Sequence, residues 1–126
     1  NRLAMLAAVL EKRAGYFLSN CDIYVNVVGG LKLDEPASDL SVALALISSL
    51  KDAPIRDDVI AFGEIGLGGE IRSIGSCEQR IKEAARLGFK RCIVPYHNYR
   101  NLNQSIKSLV EIVPARTIRA AFDSAI

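Results

Sequence analysis

From Pro36 onward, Leu40, Ala43, Leu44 and Ile47 recur at the spacing of one helical stripe, and Val42, Ala45 and Leu46 make the other faces apolar as well. A helix with so little polar surface must be buried on most sides, and other elements have to cover it. This segment is the expected central helix.

The flanking sequence offers such elements. With Asn1 as N-cap, Leu3, Leu6, Ala7 and Leu10 follow the spacing of an amphipathic helix that Glu11, Lys12 and Arg13 close near Gly15. Residues 16–18 and 23–28 are β-rich, the second run alternating up to Gly29-Gly30, which predicts two strands with a hairpin at 19–22. Residues 59–65 and 70–74 predict two more strands, joined by the turn Gly66-Leu67-Gly68-Gly69. Ser76 followed by Gln79 has the capping-box pattern, Ile81, Ala84 and Ala85 supply an inner face, and Gly88 is placed to end that helix. Residues 91–94 predict a short buried strand stopped by Pro95, and 109–113 another. Pro114 then opens a last helix with Ile118, Ala121, Phe122 and Ala125 inward. Helices alternating with strands indicate an α/β class, of the α+β two-layer kind, rather than a bundle or sandwich.

At 126 residues the chain suits a single domain over residues 1–126, with no repeat, low-complexity tract or long linker. No run approaches the length of a membrane-spanning helix and the first residue is not Met, so the chain reads as a soluble fragment of a longer one. Cys21, Cys77 and Cys92 are widely spaced, form no C-x-x-C pair and have only His97 to join them, which suits reduced cytosolic thiols rather than a metal site. The net charge of +2 attracts nucleic acid only if positive groups gather on one face.

Three local features have structural readings. Asp34, Glu35 and Asp39 could form a carboxylate site, but the loop-to-helix position favours Ser38 or Asp39 as an N-cap. The Gly66 to Gly69 turn joins two strands, so no helix dipole follows it to face a phosphate. His97, beside the polar run 98–104, reads as an exposed loop residue.

The segment Gly63-Glu64-Ile65-Gly66-Leu67-Gly68-Gly69-Glu70-Ile71, then Ile74-Gly75, then Gly88-Phe89-Lys90 through Val94-Pro95, resembles the proteolytic domain of Lon proteases. Their pattern is Gly-Glu-Ile/Val, a glycine turn, Pro-Ile-Gly-Gly, a helix, and a strand ending Ile-Pro. Asp34-Glu35-Pro36-Ala37-Ser38-Asp39 takes the place of the family's Asp-Gly-Pro-Ser-Ala-Gly without a gap. The resemblance implies the Lon proteolytic-domain fold, which is ribosomal protein S5 domain 2-like. It also implies where a peptidase site would be: the family's nucleophilic serine falls on Ala37, its lysine base on Arg80, and the threonine that supports the lysine on Phe62. Alanine has no nucleophilic atom, and a guanidinium stays protonated at neutral pH and cannot act as a base. The resemblance therefore implies a degenerate dyad and no peptidase activity.

Within that superfamily, the run Val27-Val28-Gly29-Gly30-Leu31-Lys32-Leu33-Asp34-Glu35-Pro36-Ala37 and the opening Asn1-Arg2-Leu3-Ala4-Met5-Leu6 are similar to a bacterial DNA repair branch. Its members carry a zinc-binding segment and a RecA-like ATPase core upstream, form ring hexamers and promote branch migration during recombinational repair. No phosphate-loop motif or cysteine cluster occurs here, so ATP, Mg and Zn are expected only in the full-length protein and no cofactor in this domain. The expected partners are single-stranded or branched DNA, other copies in a homo-hexamer and a recombinase, in the cytoplasm and away from membranes. Arg72, Arg80, Lys82, Arg86, Lys90 and Arg91 are the candidate DNA contacts. Glu70, Glu78 and Glu83 are interleaved with them, so a solvated face and an Arg80–Glu83 ion pair stay open. Two other functions stay open as well: a serine-type hydrolase with a shifted nucleophile, Ser38 or Ser41, and a purely structural oligomerisation module.

Overall fold

A computed structural model describes residues 2–17 and 35–126. The expected cap Asn1, Leu18, the hairpin and strand over 19–28, Cys21 and Asp34 lie outside the described residues.

Arg2–Lys12 forms α1, which buries Leu6, Val9 and Leu10. Val9 takes the inner place expected of Leu3 and Ala7, which are only half-buried. A 3-10 turn at Pro36–Ser38 runs directly into α2, Asp39–Lys51, whose buried residues include the expected stripe Leu40, Ala43, Leu44 and Ile47. The helix is enclosed along one broad face rather than on most sides. Ala45 lies with Ser41 and Ser49 on an exposed strip, where a single methyl is cheap to leave in water.

The remaining elements are β1 (Val59–Ala61), β2 (Glu64–Ile65), β3 (Ile71–Arg72), α3 (Cys77–Arg86), β4 (Arg91–Pro95), α4 (Tyr96–Tyr99), α5 (Gln104–Lys107), β5 (Glu111–Ala115) and α6 (Ile118–Ala125). The single strand expected over 59–65 is two. β1 pairs in parallel with β4, whereas β2 pairs antiparallel with β3 across the glycine turn. The break has a hydrogen-bonding cause. Phe62 N–H still donates to the Ile93 carbonyl at 2.9 Å, but the Gly63 amide donates to the Ala37 carbonyl at 3.0 Å. The Gly63 carbonyl accepts from Leu40 N–H at 2.9 Å, so the chain leaves the first ladder to meet the start of α2.

β5 lies two residues beyond its expected place and contains Pro114, opposite Val94 in the parallel register with β4. β5 stands at the end of the order β1-β4-β5, where a residue without an amide is tolerated. Thr117, not Pro114, starts the last helix: its hydroxyl accepts from Ala120 N–H at 3.0 Å. Ile118, Ala121, Phe122 and Ala125 are buried as expected. The capping box at Ser76 does not form, because Ser76 sits at φ 58° in the left-handed region rather than the extended backbone a capping serine needs. Ile81 and Ala84 face inward, and Gly88 at φ 95° follows the helix end. The polar run 98–104 falls largely within α4, the turn after it and the start of α5.

Alternation along the three parallel strands divides the interior into two cores. Ala61, Ile93 and Ala115 face α1, α2 and α6. Cys92 and Val94 face Cys77, Ile81 and Ala84 of α3 and Ile106 of α5. The α/β class holds, with helices on both faces of the parallel sheet. β4, covered on both sides, is apolar from Cys92 to Pro95 for that reason.

Candidate functional site

The 3-10 turn places Ala37 in the interior, 6% exposed, with its carbonyl held by Gly63 N–H. Arg80, one turn into α3, reaches back to the same turn: Nη2 donates to Glu35 Oε1 at 2.5 Å and Nε donates to the Gly75 carbonyl at 3.1 Å. The fold therefore brings the Ala37 and Arg80 segments together. The ion pair of Arg80 is with Glu35 and not with Glu83, because Arg86 takes Glu83 from the same helix. Phe62 is half-buried and, with Ile60, Arg80 and Leu87, lines a shallow cleft of about 320 Å³.

A buried methyl and a paired guanidinium offer neither nucleophile nor base. Ser41 donates its hydroxyl to the Ser38 carbonyl at 3.0 Å, an engagement within the start of its own helix. Among the described residues no histidine, lysine or carboxylate is hydrogen-bonded to the hydroxyl of Ser38 or Ser41.

Beside this turn lies a feature the sequence reading missed. Asp39 is 1% exposed and accepts from Arg2 Nε at 2.8 Å, from Arg2 Nη2, and from Ile65 N–H at 3.0 Å. Rather than capping α2, it ties α1, α2 and β2 together. Ser38 holds the N-cap position but makes no side-chain cap bond, because the preceding 3-10 turn already sets its backbone in the helical region. A carboxylate at the first helical position also carries the sign that the helix dipole favours.

The six candidate cations do not form one free basic face. Arg72 pairs with Glu70, Arg80 with Glu35, Arg86 with Glu83, and Arg91 with Glu111 across the β4–β5 register. Arg91 also donates to the Ser124 carbonyl at 2.8 Å, which joins the sheet to α6. The Arg86 hydrogen bond holds the Glu83 carboxyl below the usual range. Only Lys82 and Lys90 of the six are exposed without an ion-pair partner among the described residues.

Cys77 and Cys92 are buried free thiols in the second core, and burial pushes each up to about 11. Thiols held in that state are poor nucleophiles and poor ligands. Among the described residues no three of His, Cys, Asp and Glu are grouped to hold a metal, and no helix is long and apolar enough to cross a membrane. His97 is exposed, on α4 rather than in a loop.

Residues 5–126 match the family model described as the Lon protease (S16) C-terminal proteolytic domain. Among curated proteins the chain is 45% identical over 123 residues to "DNA repair protein RadA" of Halalkalibacterium halodurans, covering 98% of this chain and 26% of that protein. The protein of the same name from Listeria monocytogenes is 46% identical over 126 residues, covering 100% of this chain and 27% of the relative. That of Escherichia coli is 51% identical over 98 residues, covering 78% of this chain and 21% of the relative. The chain thus spans about a quarter of the length of the curated relatives it matches.

Proposed function

The chain belongs to the family of Lon protease (S16) C-terminal proteolytic domains, in the form found at high coverage in DNA repair protein RadA, and from that premise we propose that it is a peptidase-inactive module of a RadA-type repair ATPase. Its roles in that protein are ring assembly and DNA binding. The observation that carries the inactivity is the buried methyl of Ala37 where the family has its nucleophile, with Arg80 committed to Glu35 and the Gly75 carbonyl. In this reading Zn, Mg and ATP are bound by the remainder of the full-length protein. That protein would act in the cytoplasm as a DNA-dependent ATPase and homo-hexamer on single-stranded or branched DNA. Its work would be recombination and branch migration alongside a recombinase.

The test uses the full-length protein with unfolded casein and a fluorophosphonate probe. Neither cleavage nor labelling is expected. Casein cleavage that disappears in Ser38→Ala or Ser41→Ala would overturn the inactive reading. Deleting the domain is expected to disrupt the hexamer in sedimentation and to weaken DNA binding.

A second reading, a purely structural oligomerisation module, is favoured by one observation: Arg72, Arg80, Arg86 and Arg91 all have carboxylate partners. Under it, domain deletion breaks the ring, while loss of Lys82 and Lys90 leaves the DNA affinity of the intact ring unchanged.

A further inference from the structure

Six arginines among the described residues, Arg2, Arg56, Arg72, Arg80, Arg86 and Arg91, have carboxylate partners. Three that have none, Arg13, Arg116 and Arg119, line one cleft of about 460 Å³ between the end of α1, the glycine turn of the β2–β3 hairpin and the start of α6. None of them was a candidate from the sequence, where Arg13 stands far from the other two.

Arg116 and Arg119 are held in place by something other than a counter-ion, and the stem of Arg13 is packed. The guanidinium of Arg116 lies over the Tyr96 ring at 3.6 Å from its centroid, which covers its flat face and leaves its N–H edge available. Arg119 Nη2 donates to the Ala14 carbonyl at 3.1 Å, and its guanidinium stands 5.1 Å from the Tyr16 ring centroid. The stem of Arg13 packs against the hairpin turn at Gly69, where an added Cβ would come within 3.0 Å of the Arg13 Cβ. Gly69 also has φ 87°, so only glycine fits there without strain.

Among the described residues, the one carboxylate lining the cleft, Glu70, is folded back onto its own turn. It accepts from Gly68 N–H at 3.0 Å and from Arg72 Nε at 3.0 Å. Two positioned guanidinium groups and a third on a packed stem, none paired with a carboxylate among the described residues, surround one concavity with the positive end of α6 on its wall and make a local field that an anion would fill. The turn amides are occupied, Gly68 by Glu70 and Gly69 by the Gly66 carbonyl, so the turn is a wall and the arginines are the donors.

We infer that this cleft binds a backbone phosphate of DNA, through the guanidinium groups of Arg13, Arg116 and Arg119. The inference rests on the RadA-type reading and assigns its DNA contact to a surface other than α3. Planar guanidinium forks match phosphate oxygens in pairs, and the two already positioned, Arg116 and Arg119, lose less freedom on binding than free side chains would.

The experiment compares the full-length protein with its Arg13→Gln/Arg116→Gln variant, which leaves the Arg119 bond to Ala14 untouched. Binding to duplex and single-stranded DNA is measured across salt concentrations, with sedimentation to verify the ring. The slope of log affinity against log salt should become shallower by about one unit on duplex and somewhat less on single strands, the value for one phosphate contact. Affinity should fall by about tenfold or more at low salt, equally for unrelated sequences. The Arg13→Lys/Arg116→Lys variant keeps the charges and should retain most of the slope. An unchanged slope and affinity in the Gln variant with the ring intact would overturn the inference and leave DNA binding by the protein standing. Titration with inorganic phosphate separates the sources: a phosphate site lost in the Gln variant while DNA binding is untouched also overturns it, as a small-anion site. If the parent protein binds no DNA at all, the reading on which the inference rests falls with it.

Discussion

Replacing Asp39 by serine separates two accounts of that residue. As a helix N-cap, serine is as good as aspartate and the exchange would cost nearly nothing. As found, Asp39 is 1% exposed and receives three hydrogen bonds, two from Arg2 and one from the Ile65 amide. Serine cannot span to both partners. The Ile65 amide would be left buried without an acceptor, at about 1–3 kcal/mol. Breaking a fully buried ion pair costs about 3–5 kcal/mol, but the Arg2 side chain is 26% exposed, so water recovers part of that. Together these give about 3 kcal/mol for Asp39→Ser, read as a shift of the urea midpoint at constant slope. A cycle with Arg2→Gln should return a coupling of about 1–2 kcal/mol. A melt of Asp39→Ser within about 0.5 kcal/mol of the parent would refute the clamp and restore the capping role.

Other perturbations test other parts of the fold. Leu44→Ala empties a fully buried site between α2 and the sheet and should cost about 2–5 kcal/mol in the same melts, whereas Ala45→Ser on the exposed strip should cost less than about 0.5 kcal/mol. Thr117→Ala removes the side-chain N-cap of α6 and should cost about 1 kcal/mol. Cys77 and Cys92 have thiols that burial pushes up to about 11, with the charge of Cys77 adding to the effect at Cys92. The raised folded values mean that their contribution to stability is complete below the ordinary thiol range and is lost as pH rises through about 11. Urea midpoints should therefore fall between about pH 9 and 11 in the parent and fall less in a Cys77→Ala/Cys92→Ala variant. At pH 7.5 both thiols should resist iodoacetamide until the chain is unfolded, as read by mass spectrometry.

Sequence by itself determined those features that depend on residues near one another in the chain. The inner stripe of α2, the inward face of α6 and the helix end at Gly88 were all legible, because helical spacing and left-handed glycine are local properties. The glycine turn between β2 and β3 was legible for a similar reason: it is written in a contiguous motif. Tertiary structure alone decided the rest. Residues 59–65 look like one strand, yet they divide where Gly63 gives its amide and carbonyl to the Ala37–Leu40 segment, a competition no local pattern records. Asp39 resembles a cap until Arg2 is brought from α1 and Ile65 from β2 to surround its carboxylate. The same holds for charge. Arg72, Arg80, Arg86 and Arg91 look like a basic group in one dimension and are neutralised by acids in three, while Arg13, Arg116 and Arg119 look unrelated and converge on one cleft. An electrostatic site depends on distance in space and on which counter-ions are within reach, and the fold sets both.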